Sequence, residues 1–466
     1  MAACSEDMLS DRVKQSSARR YAGLNVDSPA LVVGLGKTGY SCARFLESQG
    51  VSVIVTDDRA RPPEMSLLRH EFPDVPVFAG GFSPEALESC AQVVISPGVP
   101  LREPYIRQAL IRGVPVCGDI ELFARCVTAP VLAVTGSNGK STVTALCGEM
   151  ARRAGWDVRV GGNFGVPALD LLGDTEPDLY VLELSSFQLE TTFSLNAKAS
   201  VILNLSADHM DRYHDLNEYM RAKLRVHHGN GTIVVNHDDA LLRNCMPPTR
   251  RLVGFSASPP AVGDFGLVEH AGARWLARGD RLLLAARELR IKGVHNATNA
   301  LAALALGEAV GLPMDAMLEA LREFRGLPHR MEWLAHDRGV EWYNDSKGTN
   351  VGATLAAIRG LKGKVVLIAG GISKDADFSP LRTALAEKGR AVVLIGRDAA
   401  VIENALRGVV PTAHAASIRE AVEKARQAAL PTDNVLFSPA CASFDMFRNY
   451  AHRGEAFAAA VQELLT

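Results

Sequence analysis

The stretch GSNGKST, Gly136 to Thr142, follows the apolar run PVLAVT (Pro130 to Thr135) and opens the helix-like run VTALCGEMARRAG (residues 143–155). Strand, tight glycine turn, lysine, hydroxyl and helix in that order make a phosphate cradle. Backbone N–H groups of the turn (Gly136, Ser137, Asn138, Gly139) and the positive end of the helix dipole converge on phosphate oxygens. Lys140 adds a point charge, and Ser141 or Thr142 a hydroxyl for Mg²⁺. The loop is shorter than the usual GxxxxGK[ST] pattern: Val134 stands where the first glycine belongs, and Gly136 is the only extra glycine. The plainer reading, a glycine-rich turn capping an ordinary helix, leaves Lys140 and two hydroxyls without a purpose.

Working outward, 466 residues suffice for roughly three domains of ~150 residues, each with its own core. Hydrophobic and charged contents of 47% and 22% are those of an ordinary globular protein. Fifty basic against 52 acidic residues, with no lysine or arginine block, argue against a nucleic-acid partner. The eight cysteines are scattered without a CxxC pair, as in a reducing compartment. The amino-terminal residues lack a charged-then-apolar signal pattern, and no uncharged apolar run reaches the ~18 residues of a membrane span. A cytoplasmic protein without a membrane span is expected, with a polar extension before Pro29.

Three segments follow one another. From Ala30, short β-branched runs (LVVGLG, VSVIVTDD, QVVISPG) alternate with helical ones, which argues for a parallel sheet with crossover helices. The first turn spells GLGKTG (Gly34 to Gly39), a full GxGxxG, with Asp57 and Asp58 ending the next strand at about the ~20-residue offset of a dinucleotide site. Taken alone, this turn supports a dinucleotide site or a packing role for its glycines. A second segment, 128–327, carries the phosphate loop, GGNFG (Gly161 to Gly165), LYVLELSSFQLE, VILNLSADHMDRYHD and a helix, HNATNALAALALGEAVG, that is apolar almost all round and therefore buried. A third, 328–466, shows strands at VEWYNDS, KVVLIAGG, AVVLIG and NVLFSPA, a second open α/β sheet with ligand loops at strand ends. The first segment is then 1–127.

Two phosphate-type turns in different segments call for two anionic ligands, such as ATP and a nucleotide-linked substrate. An NAD-dependent oxidoreductase built on GLGKTG would leave GSNGKST unexplained. Glu183, Asp208, His209 and Asp211 supply the isolated carboxylates and imidazole that suit Mg²⁺, which binds one or two carboxylates plus phosphate oxygens. His209 and His214 lack the further ligands of a zinc site.

TGSNGKST, ELSSFQLET, DHMDRY, HNATNALAALAL, GLPHR, NDSKGTN, ADFSPL and SPACASFDMF, in this order, resemble the Mur ligase family, and within it the glutamate-adding members. The resemblance runs from about Ala30 to the carboxyl end and includes the shortened loop. It implies an α/β protein of three domains: an amino-terminal Rossmann-like domain for the UDP end of a substrate, a central P-loop-type ATPase domain, and a carboxyl-terminal Rossmann-like domain that closes over the site. It also implies an ATP-dependent ligase of peptidoglycan synthesis, joining D-glutamate to UDP-N-acetylmuramoyl-L-alanine through an acyl phosphate, as a monomer with ATP and two Mg²⁺. Another Mur ligase or a folylpolyglutamate-type ligase is the nearest rival.

By the same resemblance, Leu35, Lys37, Thr38, Asp57, Asp58, Arg59, Ser96, Gly98 and Asn163 would meet the UDP substrate. Asn296, Asn299, His329, Arg330 and Asp345 would join the loop in holding ATP. Lys347, Thr349, Lys374, Ser443, Phe444 and Tyr450 would bind D-glutamate. Lys140, Glu183, His209 and Lys223 would be catalytic, with Ser141, Glu183, His209 and a carbamylated Lys223 serving the metal. The chain departs from the family pattern at GGISK, where GGDGK is common, at Gly348, where alanine is, and at Tyr450, where phenylalanine is.

Overall fold

A computed structural model describes residues 23–465 apart from 248 and 292; most of the polar extension before Pro29 lies outside them. Three sheets follow one another along the chain. The first holds strands β1 (Ala30–Val33), β2 (Val53–Asp57), β3 (Val77–Ala79), β4 (Gln92–Ile95) and β5 (Val116–Cys117), all parallel, in the order β3-β2-β1-β4-β5. All four residues of β1 are buried, because the central strand of a sheet covered on both faces has no solvent side. Chain direction across the sheet reverses beside β1, so a crevice opens between the loops after β1 and β4. Ligands bind at such a switch point.

The second sheet holds β6 (Val131–Thr135), β7 (Val158–Gly162), β8 (Leu179–Glu183), β9 (Ala199–Ile202), β10 (Thr232–Asn236), β11 (Leu252–Phe255), β12 (Phe265–His270), β13 (Ala273–Arg278) and β14 (Arg281–Ala285). Their order is β14-β13-β12-β11-β10-β9-β6-β8-β7. The phosphate loop follows the buried β6, which lies between β8 and β9. The helix Val294–Val310 buries eleven of its seventeen residues against the sheet, as its all-round apolarity predicts. The antiparallel edge β12-β13-β14 has no counterpart in the sequence reading. Its short strands carry Arg274, Arg278 and Arg281 among apolar residues, and a half-exposed edge gives a weak alternating signal.

The third sheet holds β15 (Glu332–Asp337), β16 (Val340–Asn344), β17 (Val365–Gly370), β18 (Gly389–Ile395), β19 (Thr412–His414) and β20 (Asn434–Phe437), ordered β15-β16-β20-β17-β18-β19. Only β15 runs antiparallel to its neighbour. The four strands read from sequence are β16, β17, β18 and β20; the two edge strands, β15 and β19, are the polar ones.

How the units are joined differs. The helix Asp119–Cys126 and strands β1 and β2 share one apolar cluster with Val131, Ala133, Tyr180 and Leu182 of the middle sheet. The carboxyl-terminal unit keeps two clusters of its own. It meets the middle unit at the site through polar contacts: Arg330 Nη2 donates to Ser141 Oγ at 2.5 Å, and Asn350 Nδ2 donates to Asn138 Oδ1 at 3.2 Å and Asp208 Oδ2 at 3.1 Å.

Candidate functional site

The phosphate loop is built as its sequence suggests. Gly139, φ +84°, caps the helix Lys140–Arg153 with no side-chain cap, so first-turn N–H groups are left for an anion. A Cβ on Gly139 would stand 2.5 Å from Asn299 Oδ1. Asn204 clamps the loop, its carbonyl accepting from Ser137 N at 2.9 Å and its Oδ1 from Asn138 N at 2.9 Å. Asn204 lies within VILNLSADH, yet nothing in its type distinguished it from an ordinary loop amide.

Lys140 Nζ and Lys223 Nζ both donate to the Gly136 carbonyl at 2.9 Å. Lys223 is 1% exposed. Burial, and then the charge of Lys140, push its ammonium well below the usual lysine range. Burial likewise lowers Lys140, against the pull of Glu183 and Asp208. Glu183 ends the buried strand β8; it accepts from Ser141 Oγ and, at 2.7 Å, from Asn163 Nδ2. Burial alone would raise its carboxyl, but Lys140, Ser141, Arg330 and Asn163 together hold it below its ordinary value. His209 is lowered by burial, with Asp208 opposing.

Three cavities meet here. One of about 310 Å³ is lined by Ser137 to Lys140, Asn163, Glu183, Asp208, His209, Lys223 and Arg330, together with Lys347, Thr349, Lys374, Ser443, Phe444 and Tyr450. All six residues assigned to D-glutamate therefore face the four assigned to catalysis. Lys347 Nζ lies 4.0 Å from the centroid of the Tyr450 ring, a cation–π contact that keeps the ammonium aimed. Burial brings Lys347 down to about 8.

A second cavity, about 530 Å³, spans the middle and carboxyl-terminal units. Asn138, Gly139, Thr142, Asn296, Asn299, Arg330 and Asp345 line it. Burial raises Asp345 to about 7, while Ser438 Oγ (2.7 Å) and Met331 N (3.2 Å) donate to its carboxylate. His329 departs from its assignment. It is absent from the lining, its N–H donates to Glu332 and its ring accepts from Asn344 Nδ2 at 3.0 Å, close against Gly454. Its carbonyl accepts from Lys347 N at 3.0 Å, so it shapes the loop that presents its neighbours.

The third cavity, about 510 Å³, opens at the switch point of the first sheet. Gly36, Lys37, Thr38, Asp57, Asp58, Arg59, Ser96, Gly98 and Asn163 line it. A Cβ on Gly36 would meet nothing within 4 Å, whereas one on Gly39 would collide with the Gly34 carbonyl. The middle glycine thus leaves room for a ligand and the last serves packing. Leu35 departs from its assignment: its side chain is fully buried and its N–H donates to Asp57 Oδ2 at 2.7 Å. Asp57 is also engaged by the Arg59 N–H and guanidinium, so its carboxylate holds the turn together at the cavity wall. Asn163 lines both this cavity and the 310 Å³ one, while Asn138, Gly139, Arg330 and Lys347 line both the 310 and 530 Å³ ones.

The residues present suit Mg²⁺, whose site needs only one or two carboxylates beside phosphate oxygens. Among the described residues no group of three or more His, Cys, Asp or Glu forms a metal cage. Glu183 with Ser141, and Asp208 with His209, are two such partial sets.

Comparison with known proteins settles the family. The chain matches the model described as Mur ligase MurD-like, N-terminal domain over residues 28–118, the Mur ligase middle domain over 134–307, and the Mur ligase glutamate ligase domain over 329–441. The chain belongs to the Mur ligase family. It is 55% identical over 443 residues to a UDP-N-acetylmuramoylalanine--D-glutamate ligase of Nitrosococcus oceani, covering 95% of this chain and 98% of that one. A Pseudomonas aeruginosa protein of the same name is 52% identical over 438 residues, covering 93% and 98%. Among solved structures, the UDP-N-acetylmuramate-alanine ligase MurC of Thermotoga maritima superposes with a TM-score of 0.60 at 20% identity, over 94% of this chain and 99% of that one. A pseudomurein peptide ligase type C of Methanothermus fervidus gives 0.58 at 17%, over 94% and 100%. Both likenesses extend over the fold of all three units.

Two further residues of this Mur ligase went unread in the sequence. Asn350 ties Asn138 to Asp208 across the unit boundary. Arg453, 1% exposed, donates to the Ser346 and Cys441 carbonyls and so fixes the loops bearing Lys347 and Ser443. Their signals were a helix-capping asparagine and a lone helical arginine, both commonplace.

Proposed function

We propose that this Mur ligase joins D-glutamate to UDP-N-acetylmuramoyl-L-alanine, consuming ATP as a substrate. The observation that carries the reading is one lysine-lined chamber sharing walls with two nucleotide-sized cavities. The UDP end of the substrate would occupy the 510 Å³ cavity, ATP the 530 Å³ cavity, and the reacting carboxylate the chamber reached past Asn163. Relatives 52–55% identical over nearly the whole chain bear the D-glutamate ligase name, which favours this substrate over those of the alanine ligase fold neighbour.

The chemistry explains the residues. A carboxylate resists an amine because it is anionic and has no leaving group. Transfer of the γ-phosphoryl group to one carboxylate oxygen, with ADP leaving, removes the charge. The D-glutamate amine then attacks the acyl carbon, loses a proton, and expels phosphate. Lys140 and the loop N–H groups bind the transferring phosphate, and Arg330 brings a cation from the opposite unit. Asn296, Asn299 and Asp345 hold the nucleoside. Lys347 and Lys374 anchor the two carboxylates of D-glutamate beside Thr349, Ser443, Phe444 and Tyr450.

Mg²⁺, when bound by Glu183, Ser141 and His209, supplies positive charge to phosphate oxygens. Lys223 would serve it as a carbamate. Two buried ammonium groups on one carbonyl repel each other. Carbamylation, in which the neutral amine adds CO₂ and releases a proton, replaces one cation by an anion and turns that repulsion into attraction.

All proposed site residues come from a single chain, so a monomer suffices. Since ATP is a cytoplasmic substrate, the reading places the protein in the cytoplasm. Among the described residues no helix is long and apolar enough to cross a membrane. The functional units are 1–127, 128–327 and 328–466. Substrate labelled with ¹⁸O in its alanyl carboxylate tests the route: one labelled oxygen appears in the released phosphate. Unlabelled phosphate would contradict it.

A further inference from the structure

Arg212 lies where the amino-terminal and middle units meet, and none of the roles above uses it. Its side chain is only 10% exposed. Its guanidinium donates Nε and Nη2 to the two oxygens of Glu190 at 3.3 and 2.6 Å, and Nη1 to the Pro97 carbonyl at 2.8 Å. The same group lies 4.0 Å from the Phe187 ring centroid. Each partner leads somewhere. Pro97 belongs to the loop after β4 that lines the 510 Å³ cavity. Phe187 meets the His209 ring edge-on, centroids 4.7 Å apart. Glu190 ends the short helix Ser186–Glu190, on which Gln188 also lines that cavity.

The main chain of Arg212 is tied to His209 as well. Its N–H donates to the His209 carbonyl at 2.9 Å, closing a turn in which His209 has φ +58°. A left-handed backbone at a residue with a Cβ is strained and persists where its surroundings over-determine it. Arg102 returns the strap in the other direction, its Nη2 donating to the Asp211 carbonyl at 2.7 Å. Each unit thus lends an arginine to the other's loop backbone.

We propose that Arg212 is a positioning residue that couples the loop 96–100 of the nucleotide-substrate cavity to the setting of His209 in the reaction chamber. The proposal rests on the ligase reading. Phe187 is the lever: the guanidinium over its ring fixes the ring that also meets His209 edge-on. A lysine has neither the fork to hold Glu190 and Pro97 together nor the plane to stack.

The experiment uses the full chain and measures phosphate release while each of the three substrates is varied, for wild type, Arg212→Lys and Arg102→Ala. Thermal unfolding sets the folded fraction. For Arg212→Lys, kcat per folded enzyme is expected to fall roughly 10–100-fold, as for a small misplacement of a reacting group. KM for ATP and D-glutamate should change less than about threefold, and Arg102→Ala should lose less kcat because it removes one bond of the strap. Should Arg212→Lys not fold, Glu190→Gln, which weakens one side of the same clamp, is expected to lower kcat in the same pattern. A variant kcat within about twofold of wild type, or a rise confined to the KM of the nucleotide substrate, would overturn the proposal. Wild type that releases no phosphate with all three substrates would remove the ligase reading itself.

Discussion

Two lysine ammonium groups share the carbonyl of Gly136, and their fates should differ. Lys140→Ala removes the charge aimed at the transferring phosphate and should lower kcat by about 10²–10³-fold, with no rescue by small molecules. Lys223→Ala should lose a similar factor and regain part of it on addition of a short-chain carboxylate that restores the missing anion. Equal activity without rescue would remove the carbamate. A residue outside the site sets an acid limit on stability. His227 is 8% exposed, its ring bonded to Ser200 Oγ at 2.8 Å, and burial, with Arg250 and His228, lowers it to about 3. Since the unfolded chain titrates near 6.5, its neutral form favours folding fully above that pH. This contribution is lost as pH falls from 6.5 toward 3, roughly 2 kcal/mol by pH 5. Thermal midpoints should drop across that window, and less steeply in His227→Gln.

Glycines show what an element demands of single positions. Gly348, where the family resemblance leads one to expect alanine, sits over the bond between Ser438 and Asp345, and a Cβ there would stand 2.6 Å from Asp345 Oδ2 and collide with Ser438 Oγ. Gly348→Ala should therefore break that bond and raise KM for ATP about tenfold, as loss of a buried bond to a charged group does; an unchanged KM would show that the loop relaxes. The GGISK loop is secured in another way: Ser373 donates its N–H and hydroxyl to Asp398 at 2.7 and 2.8 Å, beside Lys374 and Asp375 in left-handed conformations. Such substitutions are legible in the sequence, but their consequences are not, because the atoms they meet come from loops far away in the chain. Strand-turn-helix grammar around Gly136 and the buried helix Val294–Val310 were legible because each is a local pattern. The antiparallel edge β12–β14 and the edge strands β15 and β19 were not, because short polar strands give a weak alternating signal, while the clamp at Asn204 and the packing of His329 against Gly454 depend on neighbours distant in sequence.

At the scale of the molecule, the amino-terminal and middle units share an apolar core while the carboxyl-terminal unit meets the site through polar contacts. Closure should therefore be a motion of the third unit against the other two. Arg330→Ala removes one cross-boundary bond and one phosphate-facing cation; it should lower kcat at least about tenfold and reduce the compaction seen by solution scattering on adding ATP and both other substrates. Scattering that ignores ligands in wild type would count against closure. Three cavities serving one amide bond to D-glutamate make phosphate release depend on that amino acid. With ATP and UDP-N-acetylmuramoyl-L-alanine present, D-glutamate should trigger release and form the amide, while L-glutamate, L-alanine and a diamino acid should not. Release that is equal with those amino acids, or that needs none, would show that the chamber does not select D-glutamate.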